Sequence, residues 1–117
     1  MDPELKKKNL IIQLSLDFAV STVAYCDVLD GLKKWSLSNQ LLRASLSIGA
    51  NAKEAQNAES RADFIHKMKI AAKEADEVEF YLEVCNTSPL LPDPVDLWEK
   101  NQAICKVLNK IIGTSKK

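Results

Sequence analysis

A single histidine, three cysteines and one line of polar residues are the groups in this chain that could do chemistry. His66 stands three positions after Asp63, a spacing at which a helix can offer a carboxylate and an imidazole to one metal ion. Di-iron bundles need that pair as Glu-x-x-His on two helices, with a further inward glutamate from each of the other two. A chain with one histidine, preceded by aspartate, does not supply that set. Cys26, Cys85 and Cys105 are odd in number, contain no Cys-x-x-Cys and each fall beside apolar positions. They read as reduced, small core residues. No nucleophile, base and orienting group converge, and there is no glycine-rich phosphate loop. The sequence therefore predicts a non-enzyme with no catalytic residue, no metal site, no cofactor and no small-molecule substrate.

The polar line is Arg43, Ser47, Asn51 and Glu54, at steps of four, four and three, which places all four along one side of a helix. Two readings are open for it. It is a solvated face, or it is buried at a subunit boundary with Arg43 paired to an acidic residue of the following helix such as Glu79. A buried pair of that kind contributes specificity more reliably than stability. Ser45, on the apolar seam of the same helix, is expected to return its hydroxyl to a backbone carbonyl one turn back.

The elements that must position these groups are helices. The 117 residues are 27% charged and 46% hydrophobic, with three glycines and four prolines, which suits one all-α domain spanning 1–117. Punctuation predicts helices over about 3–30, 38–58, 61–86 and 94–112. Asp2 and Pro3 open the first, and Gly31 supplies a left-handed residue past its end. Ser36 or Ser38 caps the second. Ser60 and Asp63 form a capping box before the third, and Asp93-Pro94 opens the fourth, which Gly113 ends.

Apolar residues at alternating steps of four and three give each helix a seam. They are Ile12, Leu16, Ala19, Val23 and Cys26 in the first helix, and Leu41, Ser45, Ile48, Ala52 and Ala55 in the second. Phe64, Met68, Ala71, Ala75, Val78, Leu82 and Cys85 follow in the third, then Leu97, Asn101, Ile104, Leu108 and Ile111 in the fourth. Short connections make this an antiparallel up-down-up-down four-helix bundle. The first helix has a second stripe, Ile11, Phe18, Tyr25 and Leu32, more than one small core takes up. That stripe is expected to be an oligomer interface.

Formal net charge is zero, which argues against a protein built mainly to hold nucleic acid. The antiparallel topology nonetheless sorts the charges into a basic end and an acidic end. Lys6, Lys7, Lys8, Arg61, Lys67, Lys110, Lys116 and Lys117 are the candidate phosphate contacts at the basic end. The opening segment lacks the pattern of a signal peptide, and no stretch reads as about 18 apolar residues in a row. A cytoplasmic location away from membranes is the expectation.

The stretch L-L-R-A-S-L-S-I-G-A-N-A-K-E-A, followed by A-D-F-I-H-K-M-K-I-A, resembles the bacterial four-helix-bundle proteins encoded in intervening sequences of large-subunit ribosomal RNA genes. These are related to the accessory variability protein of diversity-generating retroelements. Arg43, Ser47, Ile48, Asn51 and Glu54 match the pattern R-x-x-x-S-I-x-x-N-x-x-E, and Glu77 and Glu79 match the helix after it. Ala55 departs from the glycine many members have there, and the Phe-Pro turn of some members is missing. The resemblance implies an antiparallel bundle that assembles into a homopentameric ring, with no catalytic residues to carry over. Two functions follow as expectations. One is a ring-forming, non-enzymatic factor associated with RNA or DNA through its basic end. The other is a homo-oligomeric scaffold for a protein partner, without nucleic acid.

Overall fold

Four helices account for the chain between its turns: α1 (Pro3–Gly31), α2 (Trp35–Ala55), α3 (Arg61–Thr87) and α4 (Val95–Ser115). The computed structural model describes the backbone of residues 3–116 and the side chains of residues 10–116. The cap expected of Asp2 lies outside the described residues. Backbones neighbour one another in the cycle α1–α2, α2–α3, α3–α4 and α4–α1, so the fold is an up-down-up-down four-helix bundle measuring 45 × 21 × 20 Å.

Local chemistry explains where each helix stops. Gly31 stays inside α1, and the left-handed residue is Lys33, at φ 62°. The amide of Lys34 donates to Leu29 O at 2.9 Å and that of Lys33 to Asp30 O at 2.9 Å. This is the double closure of a helix C-terminus in which glycine usually holds Lys33's place. α2 then starts three residues before Ser38. Ser38 is buried, and its hydroxyl donates to Cys26 O at 3.3 Å instead of capping, while Cys26 Sγ donates back to Ser38 O at 3.5 Å. Ser60 does cap α3, accepting from the Asp63 amide at 3.0 Å. Asp63 in turn accepts from the amide of Glu59 at 3.3 Å. Asp93 accepts from the Val95 amide at 3.0 Å at the start of α4, which runs through Gly113 to Ser115.

The seams expected in α2, α3 and α4 are all buried. Ala71 and Ala75 are fully enclosed, so α3 approaches its neighbours through small side chains. The seam of α1 corrects the sequence reading. Its interior line is Ile11, Ser15, Phe18, Thr22, Cys26 and Leu29. Of the expected four-three line, Cys26 is buried, but the other four are rotated away from the core: Ile12 and Ala19 are half-buried, and Leu16 and Val23 are exposed. The stripe expected to face another subunit is thus partly the core itself. Ile11 and Phe18 are fully enclosed within one chain, Tyr25 is half-buried, and only Leu32 is exposed.

Two small polar residues make this rotation possible. Ser15 fits where α2 presents Gly49, and Thr22 donates its hydroxyl to Phe18 O at 2.8 Å, so its oxygen enters the core without a lost hydrogen bond. Burying Phe18, Leu29 and Ile11 contributes about 1.5–3 kcal/mol each. With apolar residues on both sides, Leu10–Gly31 is long and apolar enough on average to cross a membrane, although its inner side packs on α2 and α4.

Candidate functional site

The polar line of α2 runs along its groove with α3. Arg43 reaches across with both terminal nitrogens: Nη1 lies 3.3 Å from Glu74 Oε2 and Nη2 3.1 Å from Glu77 Oε2. Gln40 Oε1 accepts from Arg43 Nε and Nη2, both at 3.4 Å, and steadies the guanidinium from its own helix. Farther along, Asn51 Nδ2 donates to Ser47 O at 2.9 Å and to Ser47 Oγ at 3.1 Å. Glu54 pairs with Lys67 of α3 at 3.5 Å. An acidic residue of α3 was expected to pair with Arg43, and Glu74 and Glu77 do; Glu79, the example given, instead accepts from Gln102 of α4 at 3.0 Å. The reason is helical phase. Glu74 and Glu77 are one turn apart on the side of α3 that meets α2, while Glu79 is on the side that meets α4.

Within the single chain these residues tie α2 to α3 at a half-open groove. The hydrogen bond from Arg43 holds the Glu77 carboxyl below its usual value. Burial, then the neighbouring Glu77, pushes Glu74 up, with Arg43 opposing. A second tie joins α4 to α1: Lys100 lies 3.3 Å from Asp96, 3.4 Å from Asp17 and 2.6 Å from Ser21 Oγ. Both clusters consist of satisfied partners, and neither sets a base beside a nucleophile.

The core holds further polar groups. Asn101 Nδ2 donates to Ala75 O at 3.0 Å. Asn101 Oδ1, Ser15 Oγ and Ser45 Oγ have no hydrogen-bond partner among the described residues. The back-bond expected of Ser45 is therefore not made; Thr22 makes one on α1 instead. Cys26 and Cys85 are buried, and Cys105 is half-buried. Burial raises all three thiols, and for Cys105, with Asp76 and Glu79 near, the value reaches about 11. Burial, then the Cys85 thiol, also pushes the Tyr25 hydroxyl up; it donates to Pro92 O at 2.7 Å. His66 is exposed. Among the described residues no group of three or more histidine, cysteine or acidic side chains could hold a metal ion.

The basic end is partly assembled. Arg61, Lys110 and Lys116 are exposed around the start of α3 and the end of α4. Arg61, Gln56 and Ser115 line a shallow depression of about 260 Å³ there. Lys67 is drawn aside by Glu54. The side chains of Lys6, Lys7 and Lys8, and the whole of Lys117, lie outside the described residues.

Two apolar surfaces stand out from this polar exterior. On α1, on the side turned from the core line, Leu16 is 57% exposed, Val20 63% and Val23 53%. At the acidic end, a cleft of about 600 Å³ opens between the end of α3 and the start of α4, lined by Glu83, Asn86, Asp93, Val95 and Trp98 among others. A groove of about 400 Å³ under Phe80 and Val84 shares Glu83 and Thr87 with it. The sequence carries the signals for the cleft, since prolines 89, 92 and 94 force the chain out of helix there and Trp98 follows within one turn.

A solved structure from Bacteroides thetaiotaomicron, described as a protein of unknown function from the S23 ribosomal protein family, is 39% identical to this chain. The match covers 92% of this chain and 98% of that one, with a TM-score of 0.85. No curated protein matches the chain. The profile of the 23S rRNA-intervening sequence proteins matches residues 7–112, which takes in all but the first turn of α1 and the last turn of α4. The chain belongs to the family of 23S rRNA-intervening sequence proteins.

Proposed function

We propose that this protein works by assembly rather than by catalysis: it self-associates into a closed ring of five and serves as a scaffold for a partner. The observation that carries this reading is the outward face of α1. Leu16, Val20 and Val23 form one continuous stripe on the side of the helix that the bundle leaves uncovered. Apolar side chains scattered singly over a surface need no explanation, but a contiguous stripe beside half-buried Ile12 and Ala19 is what a protein contact covers. A lipid contact is disfavoured, because Asp27 stands exposed on the same side, one turn past Val23, and a carboxylate at the bilayer centre costs about 2.5–3.5 kcal/mol. Ring closure needs a heterologous contact, with the α1 face of one subunit meeting a different face of the next. Light scattering on the wild type and on Leu16→Lys/Val20→Lys tests it. The wild type should run as an assembly and the variant as folded single chains; equal masses for the two would remove α1 from the contact.

A second reading has a specific observation behind it: the exposed Arg61, Lys110 and Lys116 share one end of the bundle. In a ring those ends would recur around the axis and present phosphate-binding charge to RNA or DNA. The zero net charge and the pairing of Lys67 with Glu54 weigh against it. A gel shift with structured RNA and duplex DNA across a salt series separates the two. Loss of all binding at about 0.15 M salt, where the Debye length is about 8 Å, favours the protein scaffold.

A further inference from the structure

The acidic end of the bundle has the features of a built docking surface. α3 cannot continue past Pro89, so the chain arches over residues 88–94 before α4 begins. The Tyr25 hydroxyl donates to Pro92 O at 2.7 Å and pins this arch to α1. The recess beside the arch lies between the end of α3 and the start of α4, with Asp93, Pro94 and Val95 on one side and Glu83, Asn86 and Thr87 on the other.

Its surface is of two kinds. Trp98, half-buried, and Val95 give the cleft apolar wall. The adjoining groove continues that wall along α3 with Phe80, 62% exposed, and Val84. Glu83 stands where the two meet, and Asp93 lines the cleft. Glu83 makes no ion pair or hydrogen bond among the described residues, and Asp93 spends one oxygen on the Val95 amide. Among the described residues no lysine or arginine lines either recess. Unneutralised carboxylates beside aromatic surface match one kind of occupant, a segment with cationic and apolar side chains together. The cations pair with the carboxylates, and their alkyl stems lie along the indole. The carboxylates repel phosphate, which excludes nucleic acid here. The two recesses are open and lie side by side, the shape that takes a helix rather than a small enclosed ligand.

We propose that the cleft and groove at the α3–α4 end dock a lysine- or arginine-rich amphipathic helix of a partner protein, with Phe80 and Trp98 as apolar anchors and Glu83 and Asp93 as the charge readers. This rests on the scaffold reading and names the class of partner the scaffold holds. The outward face of α1 is left free for self-association.

The test uses a fluorescein-labelled amphipathic helical peptide of lysine and leucine, followed by anisotropy. A glutamate–leucine peptide of the same pattern is the control. The wild type should bind the lysine peptide and not the glutamate one. Phe80→Ser and Glu83→Lys, both at exposed positions and checked for helicity by circular dichroism, should each weaken binding about tenfold or more. No binding of the lysine peptide, equal binding of the two peptides, or unchanged affinity in both variants would overturn the proposal. Light scattering in the same samples keeps it apart from the assembly reading. A wild type that is monomeric yet binds the peptide would sink self-association and leave this surface standing. A peptide that dissolves the assembly would mean that a second copy covers the cleft, and would overturn the partner assigned here.

Discussion

Gly49 of α2 lies against Ser15 of α1 so closely that a methyl group on the glycine would meet the serine Cβ at 3.2 Å. The contact sets how near α1 and α2 can lie, and it explains a glycine in the middle of a helix. Alanine there would gain about 1 kcal/mol of helix propensity but would have to push the two backbones apart by a few tenths of an ångström. Gly49→Ala should therefore change stability little, since the two effects oppose. Gly49→Leu should overpack the seam and cost about 1–3 kcal/mol. Urea melts of both variants check this, and a harmless leucine would show that the helices do not depend on the approach.

The rotation of α1 makes a paired prediction. Phe18 is fully enclosed and Val20, two residues on, is 63% exposed. Phe18→Ala should cost about 3–5 kcal/mol, the usual loss for an enclosed aromatic. Val20→Ser should leave the unfolding free energy of the single chain within about 0.5 kcal/mol. Thermal melts under dilute conditions read both, and the reverse ranking would return α1 to the register expected from its apolar spacing.

That register shows where sequence reading stops for this chain. α3 was legible because its buried line, Phe64 to Cys85, is also its only sustained apolar line. α2 and α4 were legible for the same reason, with Ser45 and Asn101 as single polar members. α1 carries two lines about a quarter turn apart that meet at Cys26, and the more apolar of them, through Leu16 and Val23, is the one turned toward solvent. The core line contains Ser15 and Thr22, which look like surface residues until Gly49 and the Phe18 carbonyl are seen to accommodate them. Arg43 does pair with acidic residues of α3, as its position suggests, but helical phase selects Glu74 and Glu77, while Glu79, the example named for it, meets α4. The starts of α2 and the end of α4 slipped because Ser38 and Gly113, each a common punctuation residue, are used inside helices here.

The Arg43 cluster has a pH signature. Glu77 is depressed by its hydrogen bond from Arg43, so it contributes stability above its unfolded value of about 4.3 and loses it as pH falls through the lower folded value. Glu74, raised by burial, works against folding at neutral pH and stops doing so once it is protonated at acid pH. Removing Arg43 withdraws attraction from both charged carboxylates. Arg43→Ala should be less stable than the wild type at pH 7, and the gap should narrow below about pH 4. A gap of the same size at pH 3 would place the effect in lost packing of the arginine stem.

Cys105 gives a signature at the other end of the pH scale. Burial, then Asp76 and Glu79, lifts its thiol to about 11. A raised thiol favours the neutral form, so its contribution is complete below the unfolded value of about 8.5 and is lost as pH rises through about 11. The stability of the wild type should fall more steeply than that of Cys105→Ala between pH 9 and 11. Parallel curves would mean that the thiol is as solvated in the folded protein as in the unfolded one.

Self-association through the uncovered face of α1 is the central claim, and counting subunits tests it most directly. Native mass spectrometry of the purified wild type at micromolar concentration should give a species of five chains, each of 13.0 kDa. A single chain of 13.0 kDa under those conditions would contradict the account.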